Sequence, residues 1–429
     1  MLDIKLIREN PDFVKAALAK RNFEVDFTEL LSWDTERRAT IAHVEQMKNE
    51  RNVTSKNIPL MKKRGEDVSG EVARMKALGD EIAEADVALA ETEKKITDFI
   101  LGLPNIPAEG VVAGGKENNE VDHFWGAKPE FSFTIKNHVD LCTSLGLIDY
   151  ERGVKLAGQG CWLYTGVGAQ LEWAILNYFI RTHIRDGYTF ILPPHMLGYQ
   201  CGYVAGQFPK YVAEDYWIDG GPDEKGRFLL PTAETALVNI HRDEIIPEAE
   251  LPKKYFAYTP CVRREAGSAR TEERGMIRGH QFNKVEMVQY AHPDHSEEAF
   301  AELVRKAEEL VQGLGLHYRL SRLAADDCSF SMGKTYDIEV WIPSMGIYKE
   351  VSSASNGYDY QPRRGNIRMR GADGKIRLVH TLNASGLATS RVIPAIVEQY
   401  QQEDGSVVVP EVLRADMGID VIRPPAKAK

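Results

Sequence analysis

The sequence predicts an α+β protein with an N-terminal antiparallel helical-hairpin arm and a larger domain on a mainly antiparallel β-sheet flanked by helices. Three observations carry this. Apolar residues step by three and four through much of the first hundred positions, which is a helical period. Beyond residue 115, short β-branched and aromatic runs bounded by Gly, Pro and Asn recur, with few strand–helix–strand units. Between the two, residues 101–115 (LGLPNIPAEGVVAGG) contain prolines and glycines and no helical period. A chain of 429 residues exceeds one ordinary domain, and 43% apolar content suffices for a sizeable core. The expected boundaries are an arm over 1–102, a linker over 103–120, the large domain over 121–420 and a disordered tail over 421–429, which closes on PPAKAK.

In the arm, Met75, Leu78, Ile82, Ala85, Leu89, Thr92, Ile96 and Phe99 form a heptad seam, weakest at Ala85 and Thr92. A poorer seam runs through Thr40, Val44, Met47, Thr54 and Ile58. Residues 59–70 lie between them, with Pro59, Gly65 and Gly70 as breakers and Lys62, Lys63 and Arg64 as a basic tip. Two long antiparallel helices fit this pattern. A dimerising coiled coil fits it equally, because heptads do not report strand direction. In the large domain, 171–185 and 296–312 read as helices, and 388–402 as a helix that Pro394 should kink. Residues 188–192, 337–341, 347–351, 366–370 and 377–381 read as strands.

Composition excludes several classes. No apolar run approaches membrane-span length, and the opening MLDIKLIRENPDF has no signal-peptide core, so a cytoplasmic protein is expected. The five cysteines are scattered without a C-x-x-C pair, which argues for a reducing compartment and against zinc. A net charge of -10 does not advertise nucleic-acid binding, although a local basic patch still permits it. Gly166-x-Gly168 lacks the third glycine of a dinucleotide turn, since position 171 is leucine.

The most informative stretch is 259–287, TPCVRREAGSARTEERGMIRGHQFNKVEM. It reads as strand, long arginine-rich loop, strand. Such a hairpin can set a guanidinium beside a phosphate, an aromatic face beside a base and a carboxylate beside an amine. The stretch resembles motif 2 of class II aminoacyl-tRNA synthetases and, more narrowly, that of seryl-tRNA synthetases. The resemblance extends in order along the chain. MLDIKLIRENPDFVKAALAKR is similar to the family's opening, GYTFILPP (187–194) to motif 1, and PTAET (231–235) to its serine-binding Thr-x-Glu. KTYDIEVWIP (334–343), EVSSASN (350–356), HTLNASGLATSR (380–391) and EVLR (411–414) complete the series. An isolated Arg-x-Glu means little; this ordered set is specific.

The resemblance implies a class II catalytic domain that activates L-serine with ATP and transfers the seryl group to tRNA(Ser), and to tRNA(Sec) where present. No protein nucleophile is required, because positioning and charge neutralisation carry the reaction. By the same resemblance, Arg263 clamps the α-phosphate, Glu265 reads the adenine amino group, Phe282 stacks on adenine and Arg391 meets the γ-phosphate. Arg264, Val351 and Ser352 complete the ATP site. Glu350 and Ser353 hold Mg²⁺, which requires a local kink or bulge because residues three apart on a strand do not share a face. Thr232, Ala233, Glu234, Glu286 and Ser385 form the serine site. Lys62, Lys63 and Arg64 grip tRNA, and residues 171–194 form a homodimer interface. Taken singly, each of these residues has a plainer reading: a surface or paired arginine, a core phenylalanine, a glutamate in a structural ion pair, a solvated basic tip.

Several positions depart from the family pattern: Val262 and Arg264, Asn283, residues 155–162 (KLAGQGCW), 327–329, Gly357 within 356–360, and Pro362. These departures leave four functions in view: a housekeeping serine–tRNA ligase, a second-copy paralogue serving antibiotic resistance, an enzyme charging a non-tRNA carrier, and a non-catalytic RNA-binding homologue. The arm argues against the carrier enzyme, and the complete residue set argues against the non-catalytic homologue.

Overall fold

The computed structural model describes residues 1–222, 226–265 and 275–425. The chain forms two compact units, one of residues 2–18 and 23–104, the other of residues 1, 19–22 and 105–429.

The first unit is built on two long helices, α1 (Thr28–Lys63) and α2 (Ser69–Leu101). Val44 and Met47 of α1 bury against Ile82 of α2, with Leu78 and Ala85 packed on them. Met75, Thr92 and Ile96 are buried as well, so the heptad stripe read from sequence is the contact stripe. Lys48–Asp86 at 3.0 Å and Arg74–Glu50 at 2.5 Å link helices running in opposite directions. The seam is therefore filled within one chain, and a coiled-coil partner is not needed to cover it. Asp34, buried on α1, meets Arg8, Arg37 and Arg38, which compensates a carboxylate out of water. Pro59 does not end α1, contrary to the expected breaker. Proline removes one N–H and frees the carbonyl four residues back; residue 55 is exposed, so that carbonyl is open to solvent. The turn shrinks to 64–68, and Lys62 and Lys63 close the helix.

The second unit holds an eight-stranded sheet: β1 (Glu120–Trp125), β2 (Thr189–Ile191), β3 (Lys253–Val262), β4 (Gln281–Ala291), β5 (Tyr318–Arg322), β6 (Lys334–Ile342), β7 (Ile347–Tyr358) and β8 (His380–Ala388). Its order is β1-β5-β6-β7-β8-β4-β3-β2. Every pairing is antiparallel except the edge pair β2–β3. Helices α3 (Val167–Arg185), α4 (Ser296–Gly313) and α5 (Thr389–Gln399) share a core with the sheet. Phe179, Leu303 and Ile396 belong to that core with Met287, Val340, Ala354 and Ala384 from four strands. Each such side chain contributes about 1.5–3 kcal/mol on full burial. Strand residues alternate faces, so the neighbours of these apolar positions point the other way. They are polar: Thr335 and Asp337 on β6, Ser353 and Ser355 on β7, Asn383 and Ser385 on β8, Lys284 and Glu286 on β4.

Three further expectations need correction. The stretch 103–120 is not a free linker. Asn105 N–H bonds Phe330 O at 2.8 Å, Ala108 N–H bonds Gly333 O at 2.8 Å, and Ala325 N–H bonds Val112 O at 2.9 Å. These bonds dock it on 324–333 as an ordered part of the second unit. Arg21 docks there too: buried, it donates to Cys328 O at 3.0 Å and to Met332 O. The tail begins ordered, since Val421–Ile422 pairs with Val407–Val408; residues 426–429 lie outside the described residues. The expected strand 366–370 is Arg368–Arg370, in a separate small sheet with Ile376–Leu378 and Ile245–Pro247.

Candidate active site

The polar face of β6, β7, β8 and β4 floors a cavity of about 520 Å³. A smaller one of about 170 Å³ shares Arg263, Glu265, Lys284, Glu350 and Ser385 with it. Together they form one cleft. Of the residues expected at the site, Thr232, Glu234, Arg263, Glu265, Glu286, Glu350, Ser353 and Ser385 line the larger part. Phe282, Val351 and Arg391 line the smaller part.

The hairpin β3–β4 is the strand–loop–strand read from 259–287, with Val262 opposite Gln281; residues 266–274 of its loop lie outside the described residues. Arg263 leaves the end of β3. Its backbone N–H bonds His280 O at 2.8 Å, its Nε donates to Pro231 O at 3.2 Å, and its guanidinium lies 5.2 Å from the Phe282 ring centroid. Glu265 takes a left-handed backbone, φ +50°, and meets Arg278 Nε at 2.6 Å. A non-glycine residue held there is strained, a common feature of functional loops.

At the other end, Phe282, Lys284 and Glu286 alternate along β4. Glu286 is buried and faces Ser385 across the β4–β8 pair, with the Ser385 hydroxyl donating at 3.4 Å. Lys284, also buried, pairs with Glu286 and donates to the Thr232 hydroxyl at 2.8 Å. Glu234 accepts from Gln361 Nε2 at 2.7 Å. Burial, then the nearby Glu286 charge, pushes the Glu234 carboxyl up to about 7.

Of the kink or bulge expected between Glu350 and Ser353, the structure has a bulge. Ser353 pairs with Asp337 and Ser352 with Ile338, but Glu350 pairs with Glu339, so Val351 is the extra residue. The bulge turns Glu350 to the cavity side with Ser353. The Ser353 hydroxyl donates to Asp337, whose carboxyl is held well above its usual range by burial and then by Glu350. Arg391, at the start of α5, pairs with Glu350 at 3.3 Å and donates to its carbonyl at 3.0 Å. The plainer reading of Arg391, pairing with a nearby acid, is thus met by another residue of the cleft.

Three expected residues do not line the cleft. Ala233 is buried in a core cluster. Ser352 is buried and donates to Ser385 O at 2.6 Å, so it braces β8. Arg264 is exposed; its N–H bonds Glu214 O at 3.0 Å and its side chain donates to Ala213 O at 3.2 Å.

Four residues were missed: Lys284, Asp337, Asp215 and Gln361. Asp215 is buried in the cavity wall, and burial raises its carboxyl to about 7 against the lowering influence of Arg263. Behind the cleft, Glu172 of α3 accepts from Asn283 Nδ2 and Thr389 Oγ1, both at 2.7 Å, and so ties α3 to β4 and to the start of α5.

Comparison with known proteins gives the arrangement its family. A family model described as the seryl-tRNA synthetase N-terminal domain matches residues 1–107. One described as the tRNA synthetase class II core domain (G, H, P, S and T) matches residues 216–400. A protein of Clostridium acetobutylicum called serine--tRNA ligase 2 is 60% identical over 423 residues, 98% of this chain and 100% of that protein. The chain belongs to the seryl-tRNA synthetase family. Two solved synthetases place its fold. Seryl-tRNA synthetase from Pyrococcus horikoshii, complexed with ATP, aligns with a TM-score of 0.91 at 35% identity, covering 99% of this chain and 100% of that one. The cytoplasmic serine-tRNA ligase of Naegleria fowleri, in complex with AMP, gives a TM-score of 0.85 at 28% identity, covering 99% of each. The antiparallel sheet described above is the synthetase core, and the helical hairpin lies in the seryl-specific N-terminal domain.

Proposed function

We infer that the chain is a serine–tRNA ligase whose cleft condenses L-serine with ATP to seryl-adenylate and then transfers the seryl group to tRNA(Ser). One observation carries this reading: a single cleft has buried carboxylates at one end and guanidinium groups with an aromatic ring at the other. Glu234 and Thr232 receive the serine ammonium. Glu286 and Ser385 meet the hydroxyl, so alanine would leave buried polar groups without partners. Arg263 neutralises charge as the serine carboxylate attacks the α-phosphate in line, with AMP carried into the adenylate and diphosphate leaving. Phe282 stacks on adenine, Glu265 reads its amino group, and Arg391 turns from Glu350 to the γ-phosphate.

Glu350 and Ser353, with Asp337 beside them, suit Mg²⁺. The Glu350 charge helps hold the Asp337 carboxyl up, and with Arg391 drawn from Glu350 to a phosphate these oxygens are a donor set for a hard cation that keeps waters and phosphates in its shell. When bound, the ion would offset phosphate charge. Lys62, Lys63 and Arg64 at the hairpin tip would contact tRNA phosphates, which read shape rather than sequence.

A homodimer through 171–194 is supported by what that stretch exposes. Trp173, Ile184 and Leu192 are exposed, and β2 is an edge strand of the sheet. A cytoplasmic setting fits a chain in which no described helix is long and apolar enough to cross a membrane. Pyrophosphate exchange with each of the twenty amino acids, with and without tRNA, tests the reading. Serine alone should support exchange; silence with serine would overturn it. The 60% identity to a protein named serine--tRNA ligase 2 does not by itself favour a second-copy role over a housekeeping one. The test between them is inhibition by a non-hydrolysable seryl-adenylate mimic, to which a resistance paralogue should be less sensitive than a housekeeping enzyme.

A further inference from the structure

Gln361 is fully buried on the short helix Tyr360–Gly365, between positions where this chain departs from its family, Gly357 and Pro362. All its bonding is to protein. Its Nε2 donates to Ala205 O at 2.9 Å and to Glu234 Oε1 at 2.7 Å, and its Oε1 accepts from Thr381 Oγ1 at 2.7 Å. A main-chain carbonyl only accepts, so the contact with Ala205 fixes which end of the amide is nitrogen. The NH₂ group therefore faces Glu234 and cannot flip without leaving two acceptors opposed. Glu234 needs this. It stands beside Glu286, and its other charged neighbours are Lys284 and Arg263. Lys284 is already committed to Glu286 and Thr232. Among the described residues the amide is the neutral side-chain donor to this carboxylate, on Oε1, and it leaves the second oxygen, Oε2, for the substrate.

We propose that Gln361 is a positioning residue of the amino-acid pocket, whose amide aims the Glu234 carboxylate at the α-ammonium of serine. The proposal rests on the ligase reading above. A hydrogen bond to a charged group is worth about tenfold or more in binding. The cost should fall on serine, because ATP engages other residues.

The test is pyrophosphate exchange by the full-length protein carrying Gln361→Met, which keeps the volume and removes the donor. Serine KM should rise about tenfold or more, with ATP KM within about twofold of the parent. The rise should also set in at higher pH, because losing the amide lets burial and Glu286 raise the Glu234 carboxyl further. A general packing defect would move both substrates and leave the pH profile in place. In a Glu234→Gln background the Gln361→Met effect on serine KM should vanish, since the amide acts through that carboxylate. Parental serine KM in the single variant, or additive effects in the double, would overturn the proposal. If Gln361→Met does not fold, Thr381→Val frees the amide from its other side and should reproduce a weaker serine-specific loss; an unchanged serine KM there also counts against it. A parent without serine-dependent exchange would instead sink the ligase reading.

Discussion

Glu234 must be ionised to hold an ammonium, yet burial and Glu286 push its carboxyl up to about 7. Serine binding should therefore weaken as pH falls through about 7, read as a rise in serine KM with little change in ATP KM. The same shift acts on stability with a definite sign. Between the ordinary glutamate value, about 4.3, and about 7, the folded protein holds a proton that the unfolded chain has released. Folding stability is lost as pH rises across that window. Glu234→Gln should accordingly melt above the parent at pH 8, and the gap should close below about pH 4; a constant gap would count against the assigned shift. Arg263 offers a simpler case. Its guanidinium neutralises charge that develops only during reaction, so Arg263→Ala should cut exchange by about 10²–10³-fold with an unchanged circular dichroism spectrum. Sequence gave access to these residues unevenly. Lys284 was missed although a signal was there, since HQFNKVEM alternates and puts it on one face with Phe282 and Glu286. Asp337 and Gln361 gave no such signal, because their roles arise from neighbours on β7 and at Glu234 that are distant in sequence.

At the level of elements, the bulge at Val351 shows what spacing alone conveys. Three positions apart on a regular strand, Glu350 and Ser353 would face opposite sides; that they share a cavity follows from one unpaired residue. The need for a kink or bulge followed from the resemblance that pairs these two residues, and strand periodicity did not show it. The helix α3 carries a second case. Glu172 is buried and pushed up to about 7 by burial, and it bonds both Asn283 and Thr389. Glu172→Leu removes the acceptor of half-buried Asn283 and leaves buried Thr389 only its longer bond to Asn283 O, at about 1–3 kcal/mol in all. It should lower the melting temperature and slow exchange together, because Thr389 opens the helix that carries Arg391. The exposed apolar residues of the same stretch make a separate prediction. Trp173→Glu or Leu192→Glu should convert a dimer to a monomer in light scattering, and a parent already monomeric would remove the proposed interface.

For the whole molecule, the arm and the catalytic sheet should be separable in function. Deleting 36–100 and joining the ends of the hairpin should spare adenylate formation and cripple tRNA charging, and intact charging would show that the arm is not the tRNA reader. Charging by the parent should fall steeply with salt if phosphate contacts dominate. Where the chain may be cut is another matter. Arg21, far from the catalytic motifs in sequence, fills a set of main-chain oxygens at Cys328, Ser329 and Met332, and Asn105 does the same at Ser331 and Gly357. Ser329, Ser331 and Met332 also line the cleft. A fragment trimmed to residue 121 would lose both side chains and the bonds they make to the Cys328, Ser331, Met332 and Gly357 oxygens, so it should bind nucleotide poorly even though every catalytic motif remains. Arg21 and Asn105 thus act as keystones for chemistry performed by residues more than two hundred positions later.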